Sequence, residues 1–233
     1  PRRNSQGWIF APESEFQDDL FNYTALHQIY TRGHSQYSGR VTVPVLWDRE
    51  TETIVSNESA DILRMFNQAF VDIAPQTPDY VPESLKSKID AWNQRIYDTV
   101  NNGVYKAGFA TTQEAYEKAV YPLFATLDAI EEQLSKSNYL ISDRPLETDW
   151  RLFPTLVRFD VAYYGAFKCN LKKLIDYPNL FAYARQLYQT LGIAETVKFD
   201  IYKKGYYSPS QLRNPFGVIP AITNIGFSEF VQF

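Results

Sequence analysis

The chain has 233 residues, 45% apolar and 21% charged, enough to bury a core in one large domain or two small ones. It has no apolar run of about 18 residues that would span a membrane, and its net charge of −4 argues against nucleic acid as a main partner. One cysteine, Cys169, and two histidines, His27 and His34, exclude an intrachain disulfide, a Cys-based zinc site and a multi-histidine centre, so no metal is expected. Aromatic residues reach 16%, with 17 tyrosines, which fits a ring-lined cavity and a well-packed core alike. The chain opens at Pro1 with no charged-then-apolar leader, which leads us to expect that a segment upstream has been cut or left out.

In chain order, Phe16, Leu20, Tyr23, Leu26 and Tyr30 form a stripe that predicts a helix over 14–32. Gly33, Ser35, Ser38 and Gly39 end it. Residues 41–47 (Val-Thr-Val-Pro-Val-Leu-Trp) read as a strand despite Pro44, and Thr53-Ile54-Val55 as its returning partner in a hairpin. Ser56-Asn57-Glu58-Ser59 marks a helix start. Residues 1–73 are therefore mixed α and β, and the proline-punctuated 74–83 reads as a linker. From 84 to 233 the pattern is helical. Leu85, Ile89, Trp92, Ile96 and Val100 form one stripe. Thr111 and Glu114 suggest a capping box before a helix with a kink at Pro122. Further helices follow Asp149 and run over Pro178–Tyr188, and beyond Gly205 an irregular tail is expected to wrap the body.

Several blocks resemble the xi-class glutathione transferases, the glutathionyl-hydroquinone reductases. They are Gly7-Trp8 with Phe10, the hairpin at 41–48, the turn at 53–60, Asn102–Ala110, Leu156–Asp160, Phe167–Asn170, Gly192–Val197 and Asn214-Pro215-x-Gly217. The resemblance implies α/β plus all-α architecture: a partial thioredoxin-like domain over 1–73, a linker over 74–83 and a helical C-terminal domain over 84–233. It implies a cytoplasmic homodimer that uses glutathione as co-substrate and reduces S-glutathionyl-hydroquinones through a cysteine–glutathione mixed disulfide. The catalytic cysteine of that family lies in a Cys-Pro segment absent from these residues and is expected upstream of Pro1. The alternative is a cysteine-less glutathione-binding or structural protein without catalysis.

For each candidate residue a bland reading stands beside the functional one. Pro44 is either a trans proline on an edge strand or a cis proline that turns the Val43 backbone towards a thiol ligand. Glu58 and Ser59 are either plain capping residues or, as the resemblance implies, holders of the γ-glutamyl ammonium and carboxylate of glutathione. Arg40 and Trp8 read as ordinary surface and packing residues taken alone, and the resemblance makes them ligand contacts. It likewise turns Tyr105, Tyr163 and Tyr206 towards the hydroquinone, with Tyr207 a close rival for Tyr206. Cys169 is read as structural, and His27 and His34 are given no role. Near Asp149, the position where many transferases place a Ser or Thr cap holds Leu146. Either Thr148 shifts the cap or the helix starts differently.

Overall fold

Chain connectivity and packing divide the molecule into two compact units, Pro1–Pro78 and Asp79–Phe233. The computed structural model describes residues 2–4, 6–11, 16–74, 77–221, 226 and 227, with the backbone alone for Arg2 and Arg3. Pro1, Ser5, residues 12–15, Pro75 and Gln76 of the expected linker, and residues 222–225 and 228–233 of the final tail lie outside the described residues.

The first unit opens with a short antiparallel pair, β1 (Arg2–Asn4) and β2 (Gly7–Ile9), joined through Gly7 at φ +88°, a conformation that favours glycine. The helix expected over 14–32 is confined to α1, Leu26–Gly33. The Asp18 carboxylate is the reason. It accepts from the Leu20 and Tyr23 N–H groups, and the Asp18 carbonyl accepts from Asn22, which sits at φ +56°. These bonds hold 18–23 as a turn, since a short Asx acceptor competes with helical bonding. The Gln28 amide oxygen then takes the Thr24 and Ala25 N–H groups at the start of α1.

The strand expected over 41–47 is also shorter. Only β3, Leu46–Asp48, pairs with β4, Thr53–Ser56. The Val43–Pro44 peptide is cis. Pro44 has no N–H to offer a ladder, and 41–45 runs outside the sheet as irregular chain that bends at Val43. The Asp48 carboxylate accepts from the Glu50 and Thr51 N–H groups and shapes the β3–β4 turn. Helix α2, Ser59–Gln68, follows directly. A core of Leu26, Ile29 and Tyr30 joins α1 to Trp8, Trp47 and Ile54 of the strands and to Phe10 just after β2.

Among its described residues the second unit holds helices joined by loops and turns, with no β-strand. In chain order the α-helices are α3 (Lys86–Ile96), α4 (Gly103–Gly108), α5 (Gln113–Leu134), α6 (Glu147–Arg158), a short α7 (Tyr164–Ala166), α8 (Pro178–Tyr188) and α9 (Phe199–Tyr206). Two π-helical turns, Tyr97–Asn101 and Phe159–Tyr163, interrupt the run. None of the described helices is long and apolar enough to cross a membrane. Helix α5 is capped by Thr112, whose hydroxyl accepts from the Ala115 N–H, and not by Thr111 as expected. Thr112 holds the extended conformation an N-cap needs. The helix continues through Pro122, anchored on both sides by the buried Val120 and Leu123. Across from it, Glu131 accepts from the Asn179 and Leu180 N–H groups, so a side chain of α5 satisfies the start of α8.

Leu123, Leu127 and Ile130 of α5, Leu152 and Leu156 of α6, and Leu180 and Leu187 of α8 are fully buried in one core. Each such side chain contributes about 1.5–3 kcal/mol of burial. Helix α6 begins with Leu146 at the cap position, and Asp149 answers the open question there. Its carboxylate accepts from the Leu146 N–H at 2.8 Å, from the Leu140 N–H at 3.2 Å and from the Tyr183 hydroxyl at 2.7 Å. Thr148 takes no part, and its buried hydroxyl has no partner among the described residues. The last helix, α9, was not anticipated, although Phe199, Tyr202 and Tyr206 follow helical spacing.

Candidate functional site

In the first unit the backbone of 41–43 is tied down by side chains from two elements. The Tyr30 hydroxyl of α1 donates to the Thr42 carbonyl at 2.8 Å and accepts from the Thr42 N–H at 3.3 Å. The Asn57 side-chain amide, in the turn between β4 and α2, donates to both the Tyr30 hydroxyl and the Thr42 hydroxyl, each at 3.1 Å. This network fixes Thr42 and leaves its neighbour open. Val43 is 56% exposed, and neither its N–H nor its C=O has a partner among the described residues. An open backbone donor and acceptor on one residue is what a peptide ligand can pair with as a strand does.

The same turn presents the start of α2. Glu58 occupies the cap position in extended conformation, held by a bond from its N–H to the Ser56 hydroxyl at 3.0 Å. Its carboxylate makes no capping bond, so the first-turn amides from Ser59 onward are not closed by a side chain. Trp8 lies on β2 and, with Phe10, Leu26 and Val43, lines an apolar cavity of about 210 Å³. Arg40 is exposed, and its carbonyl accepts from the Tyr37 hydroxyl at 2.8 Å. The Asn57–Thr42 bond thus ties the chain just before Val43 and Pro44 to the turn that carries Glu58 and Ser59, and Trp8 and Val43 line one cavity. The structure shows no ligand-facing contact for Arg40.

In the second unit three phenols converge. The Tyr206 hydroxyl lies 2.7 Å from that of Tyr105 and 2.9 Å from that of Tyr163, and the Tyr105–Tyr163 separation is 3.4 Å. Tyr105 stands on α4, Tyr163 closes a π-helical turn and Tyr206 ends α9. Phe167 is the hub of the group, stacked on Tyr163 at 5.5 Å and edge-on to Tyr105 at 5.3 Å and Tyr206 at 5.5 Å. Gly108 makes this possible, since a Cβ there would collide with the Phe167 ring. Burial pushes the Tyr163 hydroxyl far above the ordinary phenol range, and the adjacent Tyr206 and Tyr105 raise it further. Tyr206 is raised by burial and by Tyr105. Both phenols stay protonated as donors, while Tyr105, 37% exposed, opens the group to solvent. Tyr207 points elsewhere, donating to the Ala162 carbonyl at 3.4 Å.

Cys169 is fully buried, and among the described residues its thiol reaches the Phe167 carbonyl at 3.8 Å and the Val104 carbonyl at 4.0 Å. Burial pushes its pKa up to about 12. A thiol of that kind is no nucleophile at neutral pH.

A family model for the glutathione S-transferase C-terminal domain matches residues 113–186. The chain is 47% identical over 215 residues to the glutathionyl-hydroquinone reductase PcpF of Sphingobium chlorophenolicum, covering 92% of this chain and 69% of that protein. It is 48% identical over 223 residues to the glutathionyl-hydroquinone reductase YqjG of Escherichia coli strain K12, covering 94% and 67%. Among solved structures, glutathione-bound YqjG matches with a TM-score of 0.92 at 47% identity over 96% of this chain and 74% of that one. The xi transferase of Phanerochaete chrysosporium matches with a TM-score of 0.90 at 45% identity, over 95% and 74%. The chain belongs to the xi-class glutathione transferases, the family of the glutathionyl-hydroquinone reductases.

Within this xi-class chain the α/β and helical units are the two parts of the glutathione-transferase architecture. The reading from sequence missed Tyr30, Thr42 and Asn57. Tyr30 sits on the apolar stripe of α1 and looks like core, which its ring is, while its hydroxyl does separate work. Asn57 lay inside the quoted Ser-Asn-Glu-Ser motif and was passed over as a turn residue. Phe167 was quoted as part of a family block, with no sign in the sequence that three tyrosines distant along the chain would meet on it.

Proposed function

We propose that this xi-class chain serves the glutathione-dependent reduction of S-glutathionyl-hydroquinones to hydroquinones. The observation that carries the reading is the convergence of three phenol hydroxyls within 2.7–3.4 Å, two of them held protonated by burial. The reductase relatives PcpF and YqjG support it. A thiolate attacks the sulfur of the conjugate, an S–S bond forms as the aryl C–S bond breaks, and the aryl carbon takes a proton. A second glutathione thiolate then attacks the mixed disulfide, releasing glutathione disulfide and the enzyme thiolate. Phenol O–H groups donate to the hydroquinone oxygens and steady the charge that builds on the ring. The thiolate is not that of Cys169; in this reading it belongs to the Cys-Pro segment that the family resemblance implies upstream of Pro1. Cys169→Ala in the full-length protein therefore leaves turnover within about twofold of the parent. Loss of turnover in a folded variant would reverse that assignment.

Glutathione itself pairs its cysteinyl backbone with the open N–H and C=O of Val43, beside Pro44. Its γ-glutamyl carboxylate meets Ser59 and the first amides of α2, and its ammonium meets Glu58. Arg40 and Trp8 border this ligand. Ser59→Ala and Glu58→Gln are each expected to weaken glutathione binding about tenfold by calorimetry, with little change in melting temperature. Affinities equal to the parent's would remove both residues from the site. A homodimer in the cytoplasm belongs to the same reading, supported by the family resemblance and by a buried, unpaired cysteine that suits a reducing compartment.

The deciding experiment incubates the full-length protein with glutathione and 2-S-glutathionyl-hydroquinone and follows hydroquinone and glutathione disulfide by chromatography. Equimolar appearance of both is expected. Glutathione binding without either product would make this a binding protein and overturn the reading.

A further inference from the structure

The Asn214-Pro215-x-Gly217 block has no part in the chemistry above, yet it builds a defined loop against the phenol group. The Asn214 side-chain amide donates to the Tyr207 carbonyl at 2.6 Å and the Val218 carbonyl at 3.1 Å. Its backbone N–H donates to Ser210 at 2.9 Å, the Ser210 N–H returns a bond to the Asn214 carbonyl at 3.0 Å, and the Gly217 N–H reaches the same carbonyl at 3.2 Å. Gly217 turns the chain at φ +65°, and a Cβ there would crowd Pro209. A loop bonded to itself in this way holds its side chains in place.

What it holds is Arg213. The guanidinium lies 4.5 Å from the centre of the Phe109 ring and 5.5 Å from that of Phe167. Phe167 touches all three phenol rings, and Phe109 is stacked on Tyr105 at 6.4 Å. The Arg213 backbone N–H donates to the Ser210 carbonyl at 3.2 Å, whereas its guanidinium makes no hydrogen bond or ion pair with any described residue. Its cationic fork is therefore oriented by two aromatic rings, beside the phenols, with its N–H donors open.

We propose that Arg213 is a specificity-determining residue that binds a carboxylate carried on the aromatic ring of the substrate. This rests on the reductase reading for the phenol group. A planar fork matches a carboxylate with two parallel bonds, and stacking on the rings removes the entropy cost of ordering a long side chain. Covering one face of the guanidinium with Phe109 and Phe167 also reduces its hydration, which strengthens a bond made at its edge.

The test compares two small probes that differ by one carboxylate, 2,5-dihydroxybenzoate and 1,4-dihydroxybenzene, titrated calorimetrically into the full-length protein. The acid is expected to bind more tightly. Arg213→Gln is expected to weaken the acid about tenfold or more and to leave the neutral probe within about twofold. Arg213→Lys, which keeps the charge and loses the fork, is expected to fall between. Equal binding of the two probes by the parent, or equal losses in Arg213→Gln, would overturn the proposal. The S-glutathionyl conjugates of the same two rings are assayed in parallel. If the parent turns over neither, the reductase reading fails, and the probe comparison still decides for or against a carboxylate site at Arg213. If it turns over both, Arg213→Gln is expected to lower kcat/KM for the carboxylated conjugate alone.

Discussion

Tyr206→Phe in the full-length protein is expected to lower kcat for glutathionyl-hydroquinone reduction about 10²-fold or more, within the range usual for loss of a proton donor. Of the three phenols, Tyr206 is the one within short hydrogen-bond distance of both others, at 2.7 and 2.9 Å. Without its hydroxyl, Tyr105 and Tyr163 keep only their 3.4 Å contact, and the donor array loses its centre. The ring of phenylalanine still fills the space against Phe167 and Tyr163, so the stability cost is about 1 kcal/mol, that of one hydroxyl. The loss should fall on kcat and spare KM for glutathione, because no part of the Val43–Ser59 turn is altered. Tyr207→Phe is the control. Its hydroxyl contacts the Ala162 carbonyl at 3.4 Å and stays outside the phenol trio, so turnover should hold within about twofold. If Tyr206→Phe keeps parental kcat, the phenols do not assist the reaction. If Tyr207→Phe is the damaging change, the wrong neighbour has been chosen.

The largest expected effect on stability is at Asp149. Asp149→Ala should destabilise the protein by about 3–5 kcal/mol, by removing a charged acceptor and leaving three donors buried without partners. Those donors are the Leu140 and Leu146 N–H groups of the loop leading into α6 and the Tyr183 hydroxyl of α8. Asp149 is itself fully buried. Burial pushes its carboxyl above the usual range, while the bonds from Leu146, Tyr183 and Leu140 pull it back. For a chain of this length the melting temperature should fall by roughly 10 °C, at about 2–4 °C per kcal/mol. Asp149→Asn keeps one acceptor and should lose less. Thermal denaturation followed by circular dichroism makes the comparison, and a loss under about 1 kcal/mol for the alanine variant would show that water or backbone movement satisfies these donors.

Where local chemistry alone governs the chain, the sequence was enough. Pro178 presets the first turn of a helix, and α8 spans Pro178–Tyr188 as its pattern required. The Ser-Asn-Glu-Ser turn starts α2, and the order of a mixed unit followed by a helical one is visible where the β-branched hairpin gives way, past the prolines at 74–83, to helical stripes. Family membership was legible in residue blocks spread along the chain. The errors are equally physical. The stripe from Phe16 to Tyr30 has helical spacing, but one buried carboxylate at Asp18 offers the backbone better partners than a helix does. Thr111 and Thr112 are equivalent caps on paper, and the choice between them rests on where the backbone turns extended.

Composition, period and turn chemistry are properties of neighbours in sequence, so they determined the order of a mixed unit before a helical one and the helical stripes, while the family and its candidate site residues were read from the matching blocks. Which phenols meet is a property of packing. Tyr105 and Tyr206 are 101 positions apart, and only the approach of Phe167 to Gly108 and the π-helical turn at Phe159–Tyr163 bring their hydroxyls to 2.7 Å. The same packing chose Tyr206 over its neighbour Tyr207, buried Cys169 beyond reach of chemistry, and laid Arg213 across two aromatic rings.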